Sequence, residues 1–163
     1  MRPRVLDDAP LVVVVVVDRR DATACRAMTD QLGTHIACVK VDLIPDPELV
    51  RLARLVVSGV ASVAAMGLEE VEDCRAAVDE MCSSLLECGS DDGDLHLEFT
   101  SDGHLVEVTG QMALGRDVQL DPIRQELSGM ILDAVTDEHD LTFTGGVGRF
   151  RFVKVAASRG ASR

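Results

Sequence analysis

The sequence predicts an α+β fold, a two-layer sandwich in which one mixed or antiparallel sheet is covered on one face by three helices. Three observations predict it. The periodic segments run strand, helix, helix, hairpin, helix, hairpin. The helical segments carry apolar residues at a spacing near 3.6. The two hairpins are signalled by Asp102-Gly103 and by the cluster Gly145-Gly146-Val147-Gly148, each between alternating runs. A chain of 163 residues is long enough for one domain with a real core.

Composition narrows the function classes. Aromatic residues make up 2%, so the core is aliphatic. A net charge of −12 argues against nucleic acid, whose phosphates need a basic face, and suits a basic partner or simple solubility. Lys40 and Lys154 are the lysines and the other cations are arginines, which reads as genome composition and not mechanism. Cys25, Cys38, Cys74, Cys82 and Cys88 are odd in number, without a C-x-x-C pair, which suits reduced cysteine in a cytoplasmic protein. The longest apolar run, Leu11–Val17, falls well short of the roughly 20 residues that span a bilayer. Asp7 and Asp8 spoil a basic leader, so neither a signal peptide nor a membrane partner is expected.

The elements follow in order. Residues 1–37 read as an extension of uncertain order, in which Leu11–Val17 either adds a strand or stays an unpaired, sticky segment. Ala22–Leu32 is consistent with a short helix, and Met28 is an alternative start, which would leave the preceding residues outside the native chain. Cys38–Ile44 alternates as a first strand, with Val39, Val41 and Leu43 on one face. Asp46 caps the next helix, with Pro47 at its first position and Glu48 in its first turn. That helix runs to about Met66 and is closed by Gly67. Arg51, Arg54, Ser58 and Ser62 form its narrow polar stripe, so most of its other sides should be covered.

The central helix, Glu69–Glu87, carries Val71, Cys74, Val78, Met81, Cys82 and Leu85 on one stripe and ends at Gly89. Glu80 lies off that stripe, and Ser84 projects near it one turn later. Asp94–Thr100 and His104–Thr109 form a hairpin. A two-residue Asp102-Gly103 turn sets Phe99 opposite Val106 and Leu97 opposite Val108. Gly110–Leu120 is a polar connection. Asp121 caps a third helix with Pro122 at its first position and a stripe of Ile123, Leu127, Met130, Ile131 and Ala134. A final hairpin joins Asp140–Thr144 to Arg149–Val155, with Phe143, Phe150 and Phe152 toward the helices and Arg149 and Arg151 outward. The domain is expected over residues 38–156 and a flexible tail over 157–163.

The string Ala77-Val78-Asp79-Glu80-Met81-Cys82-Ser83-Ser84 resembles the first nucleotide-box helix of the GHKL, or histidine-kinase-like, ATPase fold. The resemblance is to its bacterial RsbW/SpoIIAB-like anti-sigma branch, whose usual string is A-V-S-E-A-C-T-N. It extends over roughly Cys38 to Val155. It implies that Glu80 positions the attacking group and that position 84, an asparagine in the family, holds Mg²⁺ against the phosphates of ATP. This chain has Ser84 there. It also has Val108-Thr109-Gly110-Gln111-Met112 where the family's Asp-x-Gly-x-Gly turn reads adenine, and a single glycine, Gly115, in the lid segment Ala113–Leu120. The resemblance further places Arg54, in Leu52-Ala53-Arg54, on the surface shared by a sigma factor and its competing anti-anti-sigma protein, with Arg51 and Ser58 beside it.

The expected function is therefore an anti-sigma binding protein, cytoplasmic and homodimeric, for which degenerate nucleotide boxes do no harm. The alternatives are a serine/threonine protein kinase acting on the antagonist through Glu80 and ATP–Mg²⁺, and a stand-alone sensor or dimerisation module. The glycine cluster at 145–148 lies between strands and reads as a hairpin turn, not a phosphate loop. His35, His96, His104 and His139 lack ligand spacing, so no resident metal site is expected. The acidic run at 91–94 reads as solvated, and no nucleophile motif occurs.

Overall fold

The computed structural model describes residues 14–16, 37–115 and 121–157. Its strands are β1 (Val14–Val16), β2 (Ala37–Leu43), β3 (Leu95–Ser101), β4 (Leu105–Ala113), β5 (Glu138–Thr144) and β6 (Val147–Val155). Its helices are α1 (Val50–Val63), α2 (Leu68–Cys88) and α3 (Pro122–Val135). Among the described residues the strands form one sheet in the order β1-β2-β3-β4-β6-β5, antiparallel throughout. The architecture is α+β, compatible with the expected two-layer sandwich. The segment expected as a possible extra strand supplies β1, whose backbone pairs with Lys40–Asp42. The expected helix at 22–32 and most of the tail lie outside the described residues.

Alternation builds the sheet's inner face. Val41, Leu43, Leu95, Leu97, Phe99, Val106, Val108, Phe150 and Phe152 are buried, and their alternate neighbours Asp42, His96, Glu98, Thr109 and Arg149 are not. Phe99 and Phe152 are fully buried, so truncation of either to alanine costs on the order of 3–5 kcal/mol. The α2 stripe meets this face. Cys74, Val78, Met81, Cys82 and Leu85 are all fully buried, each of the larger ones contributing roughly 1.5–3 kcal/mol through burial.

The first helix differs from expectation at its end. It stops at Val63, because Ala65 takes a left-handed conformation at φ 55°. Gly67 instead begins α2, and lacking a side chain it is capped from the other direction: the Glu70 carboxylate accepts from Gly67 N–H at 2.6 Å. At the start, Asp46 accepts from Glu48 N–H at 2.8 Å and Pro47 opens a 3₁₀ turn that leads into α1. Leu55 and Val63 remain exposed, so α1 is buried along one stripe and not on most sides.

The β3–β4 register also departs from expectation. Phe99 stands opposite Val108 and Ser101 opposite Val106, two residues out from the expected pairing. The Asp102 carboxylate accepts from both His104 and Leu105 N–H, at 2.8 and 2.9 Å, and Gly103 sits at φ 91°. This side-chain cap widens the loop beyond a two-residue turn. An even shift keeps the same residues facing inward, so the core is unchanged. The β5–β6 turn falls within the expected glycine cluster but is tighter than residues 145–148: Gly145 and Gly146 lie at φ 61° and 75° between the paired Thr144 and Val147, and β6 already includes Val147 and Gly148.

The connection expected over Gly110–Leu120 is strand as far as Ala113. Gly110 lies beneath the Phe150 ring, which would clash with any Cβ there, and Met112 is buried. The largest correction concerns α3. Asp121 caps it as expected, accepting from Ile123 N–H at 2.9 Å. Its buried residues, however, are Ser128 and Leu132, and the predicted stripe is turned outward, with Ile123, Leu127 and Met130 exposed.

Candidate functional site

The rotation of α3 sets the geometry of the region around Glu80 and Ser84. Two side chains of α3 meet α2, Arg124 and Ser128, and Leu132 one turn further on is buried. Arg124 Nη1 lies 3.1 Å from Glu80 Oε1, and its Nη2 lies 3.2 Å from Glu87 Oε1, to which Nε donates at 3.3 Å. Glu80 was expected on the wet side of α2, but its side chain is only 13% exposed because α3 covers it. Its Oε1 is an ion-pair partner without a formed hydrogen bond. An attacking group cannot reach that oxygen unless the guanidinium moves.

Ser84 is buried, and its hydroxyl is engaged twice: it donates to the Glu80 carbonyl at 2.9 Å and lies 3.4 Å from Ser128 Oγ. A serine on a helix commonly bonds back to the carbonyl four residues earlier. Here that habit commits the hydroxyl proton within α2. Glu80 and Ser84 are thus brought together as expected, but as parts of a helix–helix contact.

Beside this contact a cleft of about 410 Å³ opens between α2, α3 and β5. Ser84 and Glu87 line it from α2, Arg124 and Ser128 from α3, and Leu141 and Phe143 from β5. Apolar and polar groups are mixed on both sides, His139 and Asp140 accompanying Leu141 and Phe143 on β5 and Leu132 accompanying Arg124 and Ser128 on α3, the usual make-up of a small-molecule site. The rest of the expected nucleotide apparatus is structured otherwise. Residues 108–112 are regular strand paired to β3 and β6, with no turn to present an adenine-reading group. The first part of the lid is tied down: Leu114 N–H donates to Gly146 C=O at 2.9 Å, and Gly115 N–H donates to Cys88 C=O at 3.0 Å. Residues 116–120 lie outside the described residues.

The residues expected to meet a partner, Arg54, Arg51 and Ser58, lie away from this cleft. Arg54 Nε is 3.4 Å from Asp79 Oδ2 on α2, both side chains about two-fifths exposed. Burial pushes the Asp79 carboxyl upward, against the pull of the Arg54 and Arg75 guanidiniums. Arg51 pairs with Glu48 at 3.2 Å in the open. Both arginines border one depression of about 330 Å³, together with Pro47 and Ser83. Ser58 does not border it, and its hydroxyl donates to the Arg54 carbonyl at 2.7 Å.

Among the described residues no cluster of three or more metal-ligating side chains occurs, and no helix is long and apolar enough to cross a membrane. His96 pairs with Asp42 at 2.6 Å, and His139 lies 3.8 Å from Asp133. Cys74, Cys82 and Cys88 are buried free thiols; burial pushes the Cys74 thiol up to about 12 and raises the other two.

Arg124 is the site residue that sequence reasoning misses. Its signal is present: it is the single cation of α3, on the helical face that also carries Ser128. Assigning the inward face to the apolar stripe hides it. No protein-family model matches the chain, and no curated protein matches it.

Proposed function

We propose that this chain is an anti-sigma regulatory protein of the RsbW/SpoIIAB-like type on a GHKL fold, a cytoplasmic protein that sequesters a sigma factor by surface contact and is countered by an anti-anti-sigma antagonist. The observation that carries the reading is a contrast between two surfaces. Ser84 and Glu80 are occupied within the protein, whereas Arg54 and Arg51 border a surface depression. Arginine is favoured at binding hot spots because its planar fork and long stem make both polar and apolar contact. A half-exposed pair with Asp79 contributes only about 0.2–1 kcal/mol, so Arg54 is cheaply released to a partner's carboxylate. A homodimer across the open face of the sheet belongs to the same reading. That face mixes Lys40, Arg149 and Arg151 with Asp42, Glu98 and Glu107, so the pairing would be polar.

A second reading is the active serine/threonine protein kinase, with Glu80 as base and ATP–Mg²⁺ as cofactor. The cleft beside Ser84 favours it. A calorimetric titration with Mg²⁺-ATP separates the two. The anti-sigma reading without turnover expects weak binding or none, and a dissociation constant in the low micromolar range would overturn it. In that event Glu80→Ala should abolish phosphoryl transfer and spare nucleotide binding. The partner surface is tested by Arg54→Ala, expected to weaken capture of a sigma factor by about thirtyfold with an unchanged thermal midpoint.

A further inference from the structure

The exposed side of α3 carries an apolar row that nothing in the described structure covers. Ile123, Leu127 and Met130 are 77%, 51% and 64% exposed, and Ala134 extends the row by one more turn. From 123 to 134 the row runs about 17 Å along one helix. Concentrated exposed aliphatics of this kind mark a contact surface more often than chance. Charge says what covers it. The α3 sequence holds one cation and two anions. The cation, Arg124, is committed inward to Glu80 and Glu87. The anions, Glu126 and Asp133, are exposed. They lie seven residues apart, each three residues after a member of the row, Ile123 or Met130, and so form an acidic rim along one flank.

We propose that the outer face of α3 is a docking surface for a basic amphipathic helix of another protein, its apolar stripe laid on Ile123, Leu127 and Met130 and its lysines or arginines against Glu126 and Asp133. A second copy of the chain fits less well. Across a twofold axis the same patch meets itself, which sets the acidic rims of two chains, each of net charge −12, close to one another. An anionic membrane is repelled by the same rim. The face lies on α3, while Arg51 and Arg54 lie on α1, so the proposal does not rest on the anti-sigma reading.

The test uses the full chain and two labelled peptides of about 14 residues. One places leucines on a single helical stripe with lysines beside it. The other has the same composition in scrambled order. Fluorescence anisotropy should show the striped peptide binding at least about tenfold tighter than the scrambled one. Ile123→Ser with Met130→Ser should abolish that preference without lowering the thermal midpoint, since both side chains are exposed. Glu126→Gln with Asp133→Asn should weaken binding and flatten its salt dependence. Equal binding of the two peptides would overturn the proposal, as would indifference to the serine pair. Light scattering that shows a dimer dissolved by the serine pair would assign the face to a second copy and overturn it too. So would binding of anionic vesicles through the same residues.

Discussion

Arg124→Ala removes the cation that α3 inserts between two carboxylates of α2. The cost can be worked from the exposures. The half that faces Glu87, 52% exposed, is close to a surface ion pair and contributes under about 1 kcal/mol. The half that faces Glu80 is different, because that side chain is 13% exposed and water cannot fully replace the guanidinium. Stranding a fully buried carboxylate costs about 3–5 kcal/mol, so a partly covered one lies between the limits and the variant should lose about 2 kcal/mol. For a domain of this size that lowers the thermal midpoint by about 4–8 °C. Glu80→Gln in the same chain leaves no charge to strand. The double variant should therefore be more stable than the sum of the single effects predicts, by about 1.5 kcal/mol in a double-mutant cycle. Chemical denaturation monitored by circular dichroism measures all four corners. Additive single effects would refute the contact, and with it the account of why Glu80 Oε1 is closed to an attacking group.

Four further outcomes are expected. Gly110→Ala sets a Cβ against the Phe150 ring in the middle of the sheet and should cost about 1–3 kcal/mol by denaturant titration. Ala65→Gly relieves a left-handed alanine, where the strain of about 1–2 kcal/mol exceeds the added freedom of the unfolded chain, and should stabilise by a few tenths of a kcal/mol or more. The Glu70 carboxyl is held below its ordinary 4.5 by the Ala157 and Gly67 N–H groups; its contribution is therefore full above that value and lost as the pH falls through the lowered one. The stability gap between wild type and Glu70→Gln should accordingly be constant at neutral pH and close in acid. Finally, Cys74, Cys82 and Cys88 should resist a thiol reagent in the native protein and react together on unfolding, as followed by mass spectrometry in increasing urea.

The sequence was most legible where a pattern had one physical meaning. The α2 stripe, the Asp46 and Asp121 caps and the Gly145-Gly146 turn each specify local geometry that tertiary contacts reinforce. The β3–β4 register was legible in parity alone. Alternation fixes which residues face inward, but the position along the partner strand depended on the Asp102 side chain. For α3 the apolar stripe misled. Ile123, Leu127 and Met130 predict an inward face for a helix in isolation, yet Arg124 and Ser128 dock on α2 instead, through carboxylates and a serine that the stripe does not announce. Glu80 and Ser84 were placed together by spacing, but that their polar atoms meet α3 could not be read without its rotation. That Arg54 meets Asp79 and not Glu80 depends on how two helices pack, so spacing along neither helix fixes it.

The strand order has a consequence for how the chain is made. β5 joins the sheet only through β6, which lies between it and β4. β6 leaves the ribosome after every other strand described here. Until it does, β4 presents an open edge, β5 has no neighbour to pair with, and the α3 segment lacks its sheet-side support. The inner face also waits for Phe150 and Phe152 to cover it. A message cut short before Phe150 would therefore release a polypeptide that keeps most of its length but has an unpaired edge and an open core, the kind of intermediate on which aggregation begins.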